Sequence, residues 1–178
     1  MDTNTTLLVR YARYHRDPRN IATHFVGIPL IVFSVGAVLS PLRVAPGGVS
    51  LSAAWLAWVL ATLWYLKGGQ RSLAVATSMS VGVLVLLAEM LFQAGFTPWW
   101  PMALGSFVVG WGWQFVGHIY EGRKPAFVDD LRGLLVGPMF MVAEAGFGAG
   151  VWRTLNDTIQ AETGPVTRQS RKPTVHAG

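Results

Sequence analysis

Two groups of metal-type ligands stand at the ends of two separate apolar segments. His15, Asn20 and His24 lead into the first long apolar run, and Gln114, His118 and Glu121 close the fourth. These groups hold three of the chain's four histidines; the fourth, His176, lies in a polar tail and reads as solvated. Imidazole is the commonest metal ligand and a ready proton carrier, so the two groups can bind a transition metal or catalyse proton transfer. The chain has no cysteine, which excludes disulfides and thiolate metal sites.

Spacing refines the reading. His15 and His24 are nine residues apart, about half a turn out of phase on a continuous helix. Asp17-Pro18 supplies the break, because Asp17 can cap a new helix and Pro18 suits its first position. On that helix Asn20 and His24 share a face. Gln114, His118 and Glu121 fall at i, i+4 and i+7, also on one face. The i, i+3 pair His118 and Glu121 presents either two ligands to one ion or a ligand and its supporting carboxylate. The bland alternative is an interfacial histidine satisfied by backbone or headgroups. Glu89 and Glu144 lie within apolar runs, where a carboxylate costs about 2.5–3.5 kcal/mol on insertion scales and marks a partner or a function. Glu89 has a simple reading as the partner of a basic residue, or as a protonated acid. Gly133-x-x-x-Gly137 reads as a helix contact.

The elements that must position these residues are membrane helices. The 178 residues are 52% hydrophobic and only 13% charged, with a mean hydropathy of +0.40; a soluble domain carries nearer a quarter charged residues. Eight tryptophans and 20 glycines fit a polytopic protein with interfacial indoles and close helix packing. Apolar runs at 25–42, 51–66, 73–92, 99–117 and 133–151 are near the roughly 17–25 residues that cross the hydrocarbon core. Ser40-Pro41, Pro46-Gly47-Gly48, Lys67-Gly68-Gly69 and Thr97-Pro98 punctuate them as turns. The expectation is an all-α polytopic membrane helix bundle with four to five transmembrane or re-entrant segments. Residues 1–155 make a single membrane-embedded catalytic domain, and 156–178 a polar, disordered C-terminal tail. Net charge is +5, but the basic residues sit at segment ends rather than along a stripe, so nucleic acid is excluded as a partner. Membrane lipid is the expected surrounding, and the small-residue faces leave room for a homodimer.

Residues 1–20 are polar and carry four arginines, with no processing site, so the first apolar segment is retained as a transmembrane helix. Basic residues recur in the 67–71 and 123–132 loops, while the intervening loops hold only Arg43. That alternation places the amino terminus in the cytoplasm. Pro138, Glu144 and the glycines at 146, 148 and 150 weaken the fifth segment as a simple span. It reads as re-entrant or tightly packed, with the tail inside. Both ligand groups then fall on the cytoplasmic side, so topology permits one shared metal site.

Two blocks of residues carry a family resemblance. Tyr14-His15, Asn20 and His24-Phe25-Val26-Gly27-Ile28-Pro29 form the first. Trp113-Gln114-Phe115-Val116-Gly117-His118, Glu121, Pro125-Ala126, Leu131, Leu135, Gly137-Pro138, Phe140 and Glu144 form the second. Together they resemble the membrane-embedded 2-hydroxy fatty acid dioxygenase family over about residues 10–150. The resemblance implies Fe(II)-dependent chemistry in which O2 is consumed and a 2-hydroxy fatty acid is shortened by one carbon. It implies His15, His24 and His118 as metal ligands. The site expected around them has Glu121 or Glu144 as a fourth ligand or as a base just behind the ligands, and Asn20 and Gln114 orienting ligands or bound water. Arg16, Arg19, Arg123 or Lys124 would steer the substrate carboxylate. Arginine outnumbers lysine 11 to 3, which favours a bacterial inner-membrane protein; a eukaryotic one would sit in the endoplasmic reticulum. Zinc accepts the same ligands. A two-iron hydroxylase or desaturase needs more histidines than three. The alternative class is a non-enzymatic membrane transporter, scaffold or assembly protein, in which the polar residues support helix packing and no transition metal binds.

Overall fold

A computed structural model describes residues 1–48, 50–125 and 130–168. Ala126 and His176, both singled out above, lie outside the described residues, as does the end of the tail. Seven α-helices occur among the described residues: α1 (Thr3–Ala12), α2 (Pro18–Leu39), α3 (Ala53–Lys67), α4 (Arg71–Gln93), α5 (Trp99–Glu121), α6 (Gly133–Gly148) and α7 (Arg153–Thr163). Two-residue antiparallel strands, β1 (Arg43–Val44) and β2 (Leu51–Ser52), join α2 to α3. The fold is all-α, as expected.

The helix ends follow their local chemistry. Asp17 accepts from the Arg19 amide at 2.8 Å, with Pro18 in the first turn, so α2 starts where the sequence placed the break. Gly122, at φ 67°, ends α5 directly after Glu121 in a left-handed turn that glycine adopts without strain. Asp2 caps α1 through the Thr5 amide at 2.7 Å.

Leu60 and Val108 (each 68% exposed) and Val83 (63% exposed) project outward from α3, α5 and α4. Apolar surface on these three helices suits a membrane setting. By length and composition α2 and α4 can each cross a bilayer, while α3 is a shorter apolar helix. Its 15 residues rise only about 22 Å, against a core of about 30 Å. By this measure two of the five apolar runs form full spans on their own, within the all-α architecture expected. Helices α6 and α7 together pass the same test but are bent by 112° at their junction, as a re-entrant loop or a broken span would be.

Two polar-looking segments belong to the core. Leu7, Leu8, Tyr11 and Ala12 of α1 are buried with Met139 and Phe140 of α6 and with Leu155 and Ile159 of α7. Residues 156–163, read above as the start of a disordered tail, are helical. Leu155 and Ile159, four apart, put one apolar stripe of α7 into that core. The side chain of Asn4 fastens α1 to the α3–α4 turn, donating to the carbonyls of Tyr65 and Gly69 at 2.8 Å each.

Glu89 has the simple explanation. Arg43 NH1 lies 2.6 Å from its Oε1, and Gln93 donates to the same oxygen at 2.8 Å. The carboxylate is buried and Arg43 is its cationic partner. Replacing Arg43 by Met strands a buried charge and is expected to cost up to about 3 kcal/mol of stability. Arg43→Met/Glu89→Met should recover most of that in thermal melts in detergent. Equal losses in the single and double variants would show that the pair is not what holds the α2–α3 connection to α4.

Candidate metal centre

His15 stands in the link between α1 and α2, His24 in the second turn of α2, and His118 in the last turn of α5. All three are buried, and one nitrogen from each lies within 4.8 Å of those of the other two. The rings meet edge-on, with centroids 4.6, 5.0 and 5.1 Å apart and interplanar angles of 79°, 69° and 80°. Residues 94 positions apart in the chain thus converge on one point.

Hydrogen bonding sets the tautomers. Nδ1 of His15 is 2.8 Å from the Tyr11 carbonyl, and Nδ1 of His24 is 2.9 Å from the Asn20 carbonyl. A carbonyl only accepts, so in the neutral rings both Nδ1 atoms carry the proton and both Nε2 atoms present lone pairs. Those Nε2 atoms are 3.0 Å apart. Two lone pairs at that distance repel unless a proton or a cation lies between them. Burial, and then the charge His24 would carry, hold the His15 imidazole well below its usual pKa and disfavour the proton. A metal ion satisfies both rings, since 3.0 Å is a spacing open to two nitrogens that each lie about 2.0–2.1 Å from one ion. Nδ1 of His118 is also buried and has no hydrogen-bond partner among the described residues. Neutral imidazoles suit iron, zinc, copper or nickel. The residues therefore fit a divalent transition metal.

Close packing of α2 on α5 makes this convergence possible. A Cβ on Gly117 would run into Thr23 Oγ1 and Asn20 Oδ1, and would come within 3.2 Å of His24 Nδ1. Farther along the same seam a Cβ on Gly110 would stand 2.9 Å from the Gly27 carbonyl. Glycine here allows backbone contact rather than an unusual turn. Gly117→Ala is expected to overpack the seam by about 1–3 kcal/mol and to part His118 from His24. Thermal melts and metal titration check this; wild-type values for both would show that the seam yields.

Glu121 lies against the loop that carries His15. Its two oxygens accept from the Arg16 amide at 2.9 and 3.0 Å, from the Asp17 amide at 2.8 Å, and from Asn20 Nδ2 at 3.1 Å. No carboxylate joins the three-histidine group among the described residues. Asn20 supports the site through its carbonyl under His24 and its amide on Glu121. Glu144 is partly buried on α6, within reach of the Arg16 charge, and does not line the cavity beside His24 and His118. Gln114 is buried, and its Nε2 has no partner among the described residues. It lines a cavity of about 60 Å³ together with His24 and His118. Three of the cations expected to steer a carboxylate hold the fold. Arg16 donates to the carbonyls of His15 and Gly164, Arg19 pairs with Asp17, and Arg123 donates to the Arg13 carbonyl.

Tyr11 is a site residue that the sequence reading missed. Its ring stacks on His15 at 4.1 Å and 6°, and it lines the same cavity. Burial pushes its phenol above the usual range, so it stays a neutral donor. The available signal was its position four residues before His15, one helical turn away.

Fold and site together define a helical membrane protein with a buried three-histidine centre suited to a transition metal. Residues 1–148 match the family described as 2-hydroxy-palmitic acid dioxygenase Mpo1-like, and the chain belongs to that family. The 2-hydroxy-palmitic acid dioxygenase MPO1 of Saccharomyces cerevisiae is 32% identical over 153 residues, covering 84% of this chain and 83% of the relative. That relative is eukaryotic, so the similarity lends no weight to a bacterial membrane. No solved structure matches.

Proposed function

We propose that this chain is an iron(II)-dependent dioxygenase that shortens 2-hydroxy fatty acids by one carbon, with its metal centre and amino terminus facing the cytoplasm. The observation that carries the metal is the pair of Nε2 atoms 3.0 Å apart in a buried site, with both Nδ1 atoms facing carbonyls; the family and the yeast relative's name supply the substrate class and O2.

The overall change is R–CHOH–COOH + O2 → R–COOH + CO2 + H2O. The C1–C2 bond breaks, C2 rises from alcohol to acid, C1 leaves as CO2, and the four electrons released reduce dioxygen. Bound iron(II) would supply open positions for dioxygen and for the oxygens of the substrate. His15, His24 and His118 would hold it, their rings oriented by the Tyr11 and Asn20 carbonyls in the way outer-shell partners orient ligands. Gln114 donates from Nε2 to a substrate oxygen. Tyr11 offers a neutral hydroxyl at the cavity wall. Glu121 positions the His15 loop. Glu144, which makes no hydrogen bond among the described residues, would accept the 2-hydroxyl proton.

The test is aerobic turnover of 2-hydroxypalmitic acid by purified protein loaded anaerobically with iron(II), read by mass spectrometry. The expected product is an acid one carbon shorter that disappears with chelator and is not restored by zinc. Iron-loaded, folded protein that yields no shortened acid would remove the dioxygenase reading. Protein that binds no transition metal at all would favour the non-enzymatic class.

A further inference from the structure

We infer that an apolar groove running from the histidine centre between α2, α3, α4, α5 and α6 is the binding site for the acyl chain of the acid, and that Ala57 of α3 lies at its chain-measuring end. This rests on the proposed reaction for the identity of the head group, and on geometry for the rest.

The small cavity beside His24 and His118 shares Ile31, Val32, Trp111, Leu134 and Pro138 with a second cavity of about 390 Å³, a volume within the roughly 300–1,000 Å³ of small-molecule sites. The two are therefore adjoining chambers. Each wall is the extension of a ligand-bearing helix face. On α2, Ile28, Ile31, Val35 and Leu39 follow His24 at i+4, i+7, i+11 and i+15; on α5, Gln114, Trp111 and Phe107 precede His118 at i−4, i−7 and i−11. A molecule held at the histidines is thus led along both stripes. From His24 to Leu39 helix α2 rises about 22 Å, more than the roughly 15 Å that acyl chains occupy in one leaflet of a 30 Å core. In the second chamber the polar atoms of Trp58 and Tyr65 are spent on the carbonyls of Ser78 and Leu135, whereas at the histidine end the Nε2 of buried Gln114 has no partner among the described residues. The other end is lined by Ala54, Ala57 and Trp58. Such a slot matches an unbranched amphiphile with its polar head at the metal. Val35 and Leu134 line the second chamber and are exposed to the outside, giving a chain from the bilayer a lateral entry.

The test uses a 16-carbon 2-hydroxy acid carrying a diazirine at its terminal carbon, photolysed with full-length protein in nanodiscs and mapped by mass spectrometry. Label on Leu39, Ala57 or Trp58, competed by unlabelled 2-hydroxypalmitic acid but not by bilayer phospholipid, is expected. Label on outward-facing Leu60, Val83 or Val108, or label competed equally by phospholipid, would overturn the groove in favour of a general lipid contact. In turnover, Ala57→Phe and the milder Ala57→Leu should lower the rate on 16-carbon relative to 10-carbon acids by about tenfold or more. Equal effects on both lengths would overturn the assignment of the measuring end. Groove labelling without any turnover would leave the site and remove the dioxygenase reading; turnover with labelling elsewhere would do the reverse.

Discussion

His118→Ala is expected to lose iron(II) affinity by more than about 100-fold, since even partners one shell removed from a metal are worth 10–100-fold, and to lose 2-hydroxy acid turnover with it. Membrane insertion and helix content should be unchanged, because α5 is held against α2 by its glycine seam and not by this ring. Stability supplies the sharper readout. In the metal-free protein His118 leaves a buried Nδ1 without a partner among the described residues, and an unsatisfied buried group costs about 1–3 kcal/mol. Removing it should leave the metal-free melting temperature equal or higher. With iron at 100 times its dissociation constant the wild type gains about 2.7 kcal/mol, and the variant should gain far less. A ring that serves packing alone makes the opposite prediction: lower stability without metal and an unchanged response to it. Full turnover by the variant would remove His118 from the site altogether.

How much of this was legible depended on whether the signal was local. Asp17-Pro18 announced the start of α2, and the i, i+4 spacing of Asn20 and His24 placed them on one face. The charge alternation of the loops put His24 and His118 at the same end of the bundle, which is why the cluster could be expected from the sequence. Tertiary pairings carried no such mark. Glu89 needed Arg43, 46 residues away and across the β1–β2 hairpin. Helix α7 is polar apart from one apolar stripe, and α1 begins as a polar segment, yet Leu7, Leu8, Val9, Tyr11 and Ala12 of α1 and Leu155 and Ile159 of α7 are buried in one core with α6. Tyr11 sat in a stretch rich in arginines, and its one mark was the four-residue spacing to His15. The ends of the apolar runs were not legible to the residue: the run at 51–66 forms a helix of 15 residues, shorter than a full span.

Glu121 shows the same limit at its most consequential, and its substitution is the second large effect expected. From sequence its i, i+3 relation to His118 pointed to a ligand; in the fold its partners are amides about 100 residues earlier in the chain. Every one of those partners is a donor, so the position demands a side chain that only accepts. Glu121→Ala leaves the Arg16 and Asp17 amides unpaired next to His15, and should cost about 3–5 kcal/mol, given about 1.5–3 kcal/mol for each hydrogen bond to a charged group. Glu121→Gln is nearly isosteric, yet it turns an NH2 towards donors and should recover little of that loss. A positioning residue and a ligand then separate cleanly in an iron titration. If Glu121 acts by holding the His15 loop, both variants weaken iron binding by about 10–100-fold and melt earlier, while turnover per bound iron returns close to wild type at saturating metal. If its carboxylate instead binds the metal or takes the substrate proton, turnover stays lost at saturation and the melting temperature barely moves. The geometry favours the first outcome: Oε2 already accepts from Arg16, Asp17 and Asn20, Oε1 shares the Arg16 amide, and no carboxylate joins the three-histidine group among the described residues.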